Sequence, residues 1–470
     1  MPPSSSTTAS DASLTSRKIA LIVAAAFFME QLDGSIIVTA LPAIASGFGA
    51  TVLGAGSGVT IYLLAMTVFV PAAGWLTNRL GARSLFASAV GVFTLASLAC
   101  GLAPSLPTFV AARALQGAAA AFMSPVGRVV VLRETPKNRL IEAVATLTWP
   151  ALIAPVLGPP LGGFIVGHAS WRWIFFLNLP LGLAGIALIL RVLPERPRPP
   201  RTRFDLSGFV LTAFGLASTI QGLSMLGEHG SASVATTLAL VGVACLGLAV
   251  AHARRTECAL LDLGPLAVQS FVISTVTAGF LSRIAINAAP FLLPLMFQVA
   301  FGLSPLESGS LVLVYMAGNL VMKTVTTRTL RRFGFRNVLV FNGVLCAASL
   351  VACGLLEPAS PRVLIGAVLF FAGAVRSLNF SAVNTLAFVD IHDEQRVGAS
   401  ALATMLQQAT TALAVAIATL ALTASQQWRH GQALQLVDFR TAWFAAAAIM
   451  VLAALGSMRL PPHAGSDATR

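Results

Sequence analysis

The sequence NRLGAR at residues 78–83 returns in altered form as RRFGFR at residues 331–336. The central glycines, Gly81 and Gly334, lie 253 residues apart, and a Leu-Pro pair at 41–42 returns at 293–294, at almost the same distance. Each basic turn separates two long apolar segments. Two matches at nearly one offset indicate that the chain contains two related halves.

The composition excludes a water-soluble globule. Only 10% of the 470 residues are charged, against ~25% in typical soluble proteins, while 56% are hydrophobic and the mean hydropathy is +0.84. So few charges cannot cover the surface of a soluble protein of this size. The net charge of +13 is divided into short clusters between apolar runs, a pattern that orients membrane proteins and does not form the single basic face of a nucleic-acid binder.

Fourteen apolar segments are each long enough for a membrane-spanning helix, which needs ~20 residues. They lie at roughly 19–46, 56–76, 84–103, 107–132, 141–167, 172–193, 206–226, 233–252, 268–300, 308–327, 337–356, 363–388, 398–424 and 440–459. If the N-terminus is cytoplasmic, most of the 30 Lys and Arg residues fall on the cytoplasmic side. The arginines on the outer side are Arg172, Arg362, Arg429 and Arg440. The positive-inside rule therefore predicts fourteen spans with both termini in the cytoplasm.

These segments predict an all-α polytopic membrane protein made of five regions. The regions are a cytoplasmic N-terminal tail at 1–18, a six-helix bundle at 19–193, a cytoplasmic linker with two inserted helices at 194–266, a second six-helix bundle at 267–460 and a cytoplasmic tail at 461–470. The linker begins in a stretch rich in Pro and Arg that suits an extended connection. No loop is long enough for a soluble catalytic domain, so we expect no enzyme activity. The five cysteines show no metal-ligand or disulfide spacing, so we expect no metal site and no cofactor.

Two acidic residues lie deep within the first predicted span. A charge at the centre of a membrane costs ~2.5–3.5 kcal/mol even on insertion scales, so Glu30 and Asp33 need a reason to be there. They are one helical turn apart and can share a helix face. Either they form a structural ion pair with a neighbouring helix, or one of them binds and releases a proton; the sequence leaves both open.

The residues around Asp33 carry a family resemblance. QLDGSIIVTALP at 31–42 resembles the first-span motif of the fourteen-spanner drug:proton antiporter branch of the major facilitator superfamily. Four further stretches resemble motifs of that superfamily in chain order, namely GWLTNRLGAR at 74–83, RALQG at 113–117, GPPLGG at 158–163 and WRWIFFLNLPLG at 171–182. The second half is similar mainly in its span count and its basic turn. The whole pattern most resembles the MdtD-like members of the branch.

The resemblance implies a major facilitator fold, with two six-helix bundles, an inserted two-helix hairpin and 14 transmembrane helices. It implies a secondary active transporter that works by alternating access and exports small molecules of the multidrug type in exchange for protons. The expected location is the bacterial cytoplasmic (inner) membrane. The expected partners are a small-molecule substrate, protons and bilayer lipid, with no nucleic acid, and the protein is expected to be a monomer.

The resemblance also assigns roles to residues of the first half. Asp33 and Arg113, which lie in the quoted motifs, are expected proton-coupling residues, and Glu30 is added to them because it is a deep acid one helical turn from Asp33. The expected gating residues are Gly74, Asn78, Arg79, Gly81 and Arg83 in the basic turn and Gly158, Pro159, Gly162 and Gly163 in the fifth span, although helix packing alone also accounts for the second set. Asn78 stands where the family usually carries Asp. It can form hydrogen bonds but supplies no negative charge.

The second half carries deep cations without acids in the same spans: Arg283, Lys323 and Arg376. A buried unpaired charge is untenable, so Arg283 must meet an acid from the first half, backbone carbonyls or an anionic ligand. The residues expected to contact substrate are Arg283, Arg376, Gln116, Asn287 and Asn379.

The charge of the substrate stays open at this stage. The family favours lipophilic cations, whereas the excess of deep cations favours an anionic metabolite or a metal-carboxylate chelate. A membrane-embedded transferase would need a polar catalytic cluster at a span end, and only His392, beside Asp390 and Asp393, approaches that pattern. A channel is the remaining alternative.

Overall fold

The computed structural model describes residues 5–135, 140–195, 203–226, 232–256, 259–392, 395–431 and 433–461. All regular structure in these ranges is helical, and they contain no strand. The Pro- and Arg-rich part of the predicted linker, 196–202, and the predicted C-terminal tail from residue 462 onward lie outside the described residues.

Sixteen α-helices follow one another along the described chain. The first eight are α1 (Ser5–Phe48), α2 (Val52–Phe69), α3 (Ala73–Leu80), α4 (Ala82–Leu102), α5 (Leu106–Glu134), α6 (Leu140–His168), α7 (Trp173–Phe176) and α8 (Asn178–Val192). The other eight are α9 (Leu206–Leu226), α10 (Ala232–Ala253), α11 (Gln269–Thr275), α12 (Ala278–Leu295), α13 (Pro305–Gly354), α14 (Arg362–Val389), α15 (Arg396–Trp428) and α16 (Leu436–Ser457).

Several helix starts follow local sequence signals. Thr51 caps α2, its side chain accepting a hydrogen bond from the backbone N–H of Gly54 at 3.0 Å. Ser304 and Glu307 form a capping box at the start of α13, in which each side chain accepts from the backbone N–H of the other residue. Such boxes satisfy N–H groups that the first helical turn leaves without partners.

Twelve helical stretches of the described residues are long and apolar enough to cross a membrane, judged by length and composition. Two predicted spans account for the difference from fourteen. In α6 the apolar part Ile153–His168 is shorter than a full span. The other difference is α13, which counts once although its 50 residues would extend ~75 Å at ~1.5 Å per residue, more than twice the ~30 Å hydrocarbon core. The count of fourteen stays a prediction.

The long helix α13 turns sharply at Gly334. Gly334 has φ 73° and ψ 162°, and Gly81, between α3 and α4, has φ 85° and ψ 143°. Positive φ is a conformation that glycine adopts without steric cost. The two basic turns that repeat in the sequence therefore share one backbone conformation.

The predicted span at 268–300 is not one continuous helix. It is divided into α11 and α12, with Thr277 between them at φ −111° and ψ −99°, and it ends in a π-helical turn at Met296–Ala300. The span predicted at 172–193 is likewise divided into α7 and α8. Hydropathy alone detects neither break, because the apolar stretches Gln269–Ala300 and Trp173–Val192 each continue across it.

The helices α9 and α10 pack against each other, and α9 also contacts α2 and α15. Leu64 of α2, Leu216 and Ile220 of α9, and Ala412 of α15 share one buried cluster. The pair thus lies against a helix from each half of the chain.

A larger core joins the two halves. It includes Leu41 of α1, Phe109 of α5, Phe291 of α12 and Trp443 of α16, and the side chain of Gln298 donates to the Thr39 carbonyl at 3.0 Å. This contact lies two helical turns along α1 from the acidic residues, so the deep charges lie close to the junction between the halves.

Candidate functional site

Asp33 and Arg113 form a buried ion pair. Asp33 of α1 is 2% exposed and Arg113 of α5 is fully buried, and Arg113 Nη1 lies 2.7 Å from Asp33 Oδ2. Arg113 is therefore the direct partner of Asp33 in the folded chain, and their expected role in proton coupling stays a prediction. The pairing also satisfies the requirement that a charge in an apolar interior has a partner.

Two amide side chains complete the surroundings of the Asp33 carboxylate. Gln116 and Asn178 donate to its Oδ1 atom at 2.9 and 2.8 Å. Both also donate to Ser97 Oγ, at 2.7 and 3.2 Å. Asp33 thus accepts hydrogen bonds from three side chains on two helices, α5 and α8. Both oxygens of the Asp33 carboxylate are therefore bonded to side-chain donors.

Asn178 and Ser97 were not among the residues predicted from the sequence. Asn178 lies within the sixth-span motif at 171–182, so the motif contained the signal. Ser97 lies in an apolar stretch of α4 without a motif. Only its proximity to Gln116 in the folded chain identifies it.

The guanidinium of Arg113 has one donor without a partner. Its Nε donates to the Gly58 carbonyl at 3.2 Å, and its Nη1 also donates to Gln116 Oε1 at 2.6 Å. Its Cζ lies 4.1 Å from the centroid of the Tyr62 ring, as in a cation–π contact. Its Nη2 has no hydrogen-bond partner within the described residues. Leaving a buried donor unpaired costs ~1–3 kcal/mol.

Glu30 lies apart from this network. It is 2% exposed and accepts a hydrogen bond from Ser124 Oγ of α5 at 2.8 Å. Arg128, one turn beyond Ser124, is close enough for its charge to act on Glu30. No ion pair in the described part of the chain includes Glu30.

Arg283 of α12 is held by neutral oxygens. It is 1% exposed, its Nη1 donates to the Ser274 carbonyl at 2.8 Å, and its Nη2 donates to Asn384 Oδ1 at 2.8 Å. The break between α11 and α12 makes the Ser274 carbonyl accessible, because backbone groups beside a helix break leave the helical pairing. Arg283 thus meets a backbone carbonyl, one of the three partners considered from the sequence.

Arg376 of α14 is half-buried and also contacts neutral acceptors. Its Nε donates to the Ile286 carbonyl at 3.2 Å and its Nη2 to Asn287 Oδ1 at 3.4 Å. Asn287 donates in turn to Thr411 Oγ1 at 3.1 Å. Neither Arg376 nor Arg283 forms an ion pair with an acid of the described residues.

Hydrogen bonds do not connect the five residues expected to contact substrate into one network. Asn287 and Arg376 are joined, whereas Gln116 belongs to the Asp33 network. Asn379 is 1% exposed and accepts a hydrogen bond from Ser282.

The basic turn at 78–83 contacts the end of the first half. Arg83 donates to the Leu190 carbonyl of α8 and lies 4.0 Å from Glu195. Arg79 lies over the Trp75 ring at 5.5 Å. Of the other residues expected to gate here, Asn78 is half-buried and Gly74 exposed. The turn therefore contacts α8 through Arg83.

In α6 the predicted glycines allow close helix contacts. A Cβ atom on Gly158 would lie 2.0 Å from Ser35 Oγ, and one on Gly162 would lie 2.9 Å from the Ile36 carbonyl oxygen. These two glycines bring α6 against α1, two to three residues beyond Asp33.

The same helix also contacts the second half of the chain. A Cβ atom on Gly163 would lie 2.3 Å from the Pro305 carbonyl oxygen, and one on Gly309 would lie 2.4 Å from the Pro159 carbonyl oxygen. Here α6 and α13 approach backbone to backbone, each through a glycine, so α6 connects the neighbourhood of Asp33 to the other half.

A polar cluster joins the start of α9 to the end of α10. The Asp205 carboxylate accepts from the backbone N–H groups of Gly208 and Leu260 at 2.8 and 3.1 Å and lies 2.8 Å from His252 Nε2. Burial opposes the charge of Asp205, but these three contacts outweigh it and lower the pKa of the carboxyl. The sequence analysis did not detect this cluster.

Comparisons with known proteins agree with this architecture. The chain is 38% identical over 400 residues to the multidrug resistance protein MdtD of Serratia proteamaculans, covering 84% of this chain and 83% of that relative. It is 36% identical over 447 residues to the protein of the same name from Escherichia coli O157:H7, covering 94% of each.

Solved structures share the fold. The inward-open xylose transporter XylE of E. coli superposes with a TM-score of 0.65 at 14% identity, covering 96% of this chain and 99% of the other. A D-xylose-proton symporter superposes with a TM-score of 0.68 at 16% identity, covering 95% and 98%. The sequence pattern of the Major Facilitator Superfamily matches residues 23–415 and 276–469. The protein is a multi-pass membrane transporter, and the chain belongs to the Major Facilitator Superfamily.

Proposed function

We propose that the protein is a proton-coupled antiporter that exports small molecules of the multidrug type. The observation that carries this proposal is the buried Asp33 carboxylate with its three donors, Arg113, Gln116 and Asn178. Asp33 can bind a proton, and Arg113 loses the negative charge of its partner when Asp33 does so. The names of the MdtD relatives support the drug-export part of the proposal.

Proton binding at Asp33 would disturb the whole network. The ionised carboxylate accepts from Arg113, Gln116 and Asn178, whereas a protonated carboxyl carries a donor of its own. One existing donor then faces another donor, and the attraction of Arg113 is lost at the same step. The network is therefore stable with Asp33 charged and must rearrange when Asp33 is neutral.

The helix contacts offer a route from this change to alternating access. Ser35 lies two residues after Asp33 and touches Gly158 of α6, and α6 touches α13 of the second half through Gly163 and Gly309. With backbones this close, α1 cannot shift without moving α6. We therefore assign the α6 glycines a gating role in which they pass a movement of α1 on to α13 in the second half.

The proton gradient supplies a useful driving force. One proton crossing a potential of ~100 mV contributes ~2.3 kcal/mol, which corresponds to more than a tenfold substrate gradient, since ~1.4 kcal/mol is one factor of ten.

The test is transport in proteoliposomes with an imposed pH gradient. We expect wild-type protein to move a lipophilic drug uphill and to lose this when the gradient is collapsed by a protonophore. Uphill transport that persists without a proton gradient would exclude proton coupling. Downhill flux of ions without substrate would instead indicate a channel.

We further propose fourteen spans, with α9 and α10 as a hairpin inserted between two six-helix bundles at 19–193 and 267–460. The turn at Gly334, the length of α13 and the packing of α9 between α2 and α15 support this topology. Reporter tags in the 196–203 loop and at Arg470 should then lie in the cytoplasm of the inner membrane, and a tag at 227–232 outside. An external signal from the 196–203 loop would exclude it.

A second candidate function is proton-coupled export of an anionic metabolite or its metal-carboxylate chelate. Arg283 and Arg376 favour it, because both deep cations contact only neutral acceptors within the described residues. If they bind an anion, Arg283→Gln should weaken the binding of a tricarboxylate by ~1.5–3 kcal/mol, the range for a charge-assisted hydrogen bond. The binding of lipophilic cations should be unaffected. Equal effects on both substrate classes would exclude this candidate.

A further inference from the structure

A polar cavity of about 310 Å³ lies between α13 and α14, beside the basic turn at Gly334. Lys323, Thr327 and Arg331 of α13 line it at intervals of four residues, as one face of a helix requires. Ser381 and Thr385 line it from α14, again four residues apart. No acidic residue is among the lining side chains of the described chain. With Thr326 also in the lining, the cavity presents two cations and four hydroxyl side chains to one space.

The two cations have no partner in the described part of the chain. Neither Lys323 nor Arg331 forms an ion pair or a side-chain hydrogen bond there. The charge of Arg376 also acts on Lys323, which adds like-charge repulsion. Lys323 is half-buried and Arg331 exposed, so the cavity is open to a ligand and an anion there would relieve the repulsion.

The fold itself does not require these charges. Gly81 and Gly334 have the same turn conformation, so positions 253 residues apart correspond in the two halves. Val70, Gly74 and Asn78 then occupy the places of Lys323, Thr327 and Arg331. These first-half positions, in the 3-10 turn Val70–Ala72 and in α3, carry no cation, so the first half does not repeat the two cations of this cavity.

We propose that this cavity binds a phosphate-bearing anion, such as the head group of an anionic phospholipid. Two cations and several hydroxyls can donate to the three or four oxygens of a phosphate. Basic pockets between membrane helices are known to accept anionic lipid head groups. The volume corresponds to roughly ten water molecules at ~30 Å³ each, which leaves room for a glycerophosphate group. The site is separate from Asp33, and it does not depend on the proposed transport function.

The test uses the purified full chain and native mass spectrometry with phosphatidylglycerol and phosphatidylethanolamine as probes. The variant is Lys323→Gln with Arg331→Gln. The matched control is Arg328→Gln with Arg332→Gln, which removes two exposed charges from the same helix that do not line the cavity. We expect phosphatidylglycerol affinity to fall about fivefold for each cation removed from the cavity, the factor that corresponds to ~1 kcal/mol per Lys or Arg near an anionic surface. The control should change it less than about twofold.

A second arm distinguishes a lipid from a free anion. Inorganic phosphate is titrated against the protein at constant ionic strength, with thermal stability as the measurement. In one outcome, phosphate raises the melting temperature of the wild type but not of the cavity variant, while phosphatidylglycerol binds without selectivity. That result supports the site with phosphate from solution, and not a lipid, as its ligand. Equal losses in the cavity variant and the control, or no loss in either arm, would overturn the proposal. If the double variant cannot be purified, each single variant is measured and should lose about fivefold.

Discussion

The substitution Asp33→Asn should strongly destabilise the protein. The amide that replaces the carboxylate keeps one carbonyl oxygen, which can still accept from Gln116 and Asn178, but its NH₂ group takes the place of the oxygen that pairs with Arg113. A donor then faces a donor, and Arg113 becomes a fully buried charge without a counter-ion. Removing one partner of a buried ion pair typically costs ~3–5 kcal/mol, and we expect a loss in that range.

Substitution of the two residues of the ion pair should lower stability by different amounts. A guanidinium stays charged in a protein, whereas a carboxyl left alone can take up a proton and become neutral. Arg113→Gln should therefore cost less than Asp33→Asn, about 1–3 kcal/mol, the penalty of a poorly satisfied polar group. The double variant should be more stable than Asp33→Asn alone, because it no longer contains a stranded charge.

The measurement is the free energy of unfolding in mixed detergent micelles for the wild type, both single variants and the double variant. Asp390→Asn, an exposed acid-to-amide change, serves as the control and should stay within about 0.5 kcal/mol of wild type. A loss below about 1 kcal/mol for Asp33→Asn, or a double variant less stable than either single one, would refute the ion-pair argument.

Two further predictions concern packing and acid stability. A methyl group on Gly117 would lie 2.2 Å from the Tyr62 carbonyl oxygen, whereas one on Gly34 meets nothing within 4 Å; Gly117→Ala should therefore lower thermal stability by about 1–3 kcal/mol, and Gly34→Ala should be neutral or stabilising by up to ~1 kcal/mol. A melting series in which the two variants behave alike would contradict this. Because the folded protein lowers the pKa of Asp205, its stabilising contribution is complete above the pKa of an unfolded Asp, ~3.9, and disappears as the pH falls through the folded-state pKa. Asp205→Asn should accordingly lower the free energy of unfolding at about pH 7 and make its decrease below about pH 4 less steep. An unchanged dependence of stability on pH in the acid range would exclude the role of this cluster.

Much of the candidate site could be predicted from local sequence. Asp33 and Glu30 were identifiable because an acid in an apolar span is costly, and Arg113 and Gln116 because they fall in a motif. Their mutual contacts could not be predicted, because Asp33 and Arg113 are 80 residues apart and the sequence does not specify which helix faces meet. Ser97 illustrates the limit, since a single hydroxyl in an apolar helix has no distinguishing pattern.

The sequence by itself determined the all-helical membrane architecture, the two related halves and the deep charges, since hydrophobicity and charge cost act on each segment separately. The tertiary structure alone decided how those charges are compensated. Asp33 and Arg113 satisfy each other within the first half, whereas Arg283 is held by a carbonyl that becomes accessible only because α11 and α12 are separated by a break. The physical reason is that a membrane interior requires every buried charge to find a partner but does not prescribe which one. The packing of helices distant in sequence makes that choice.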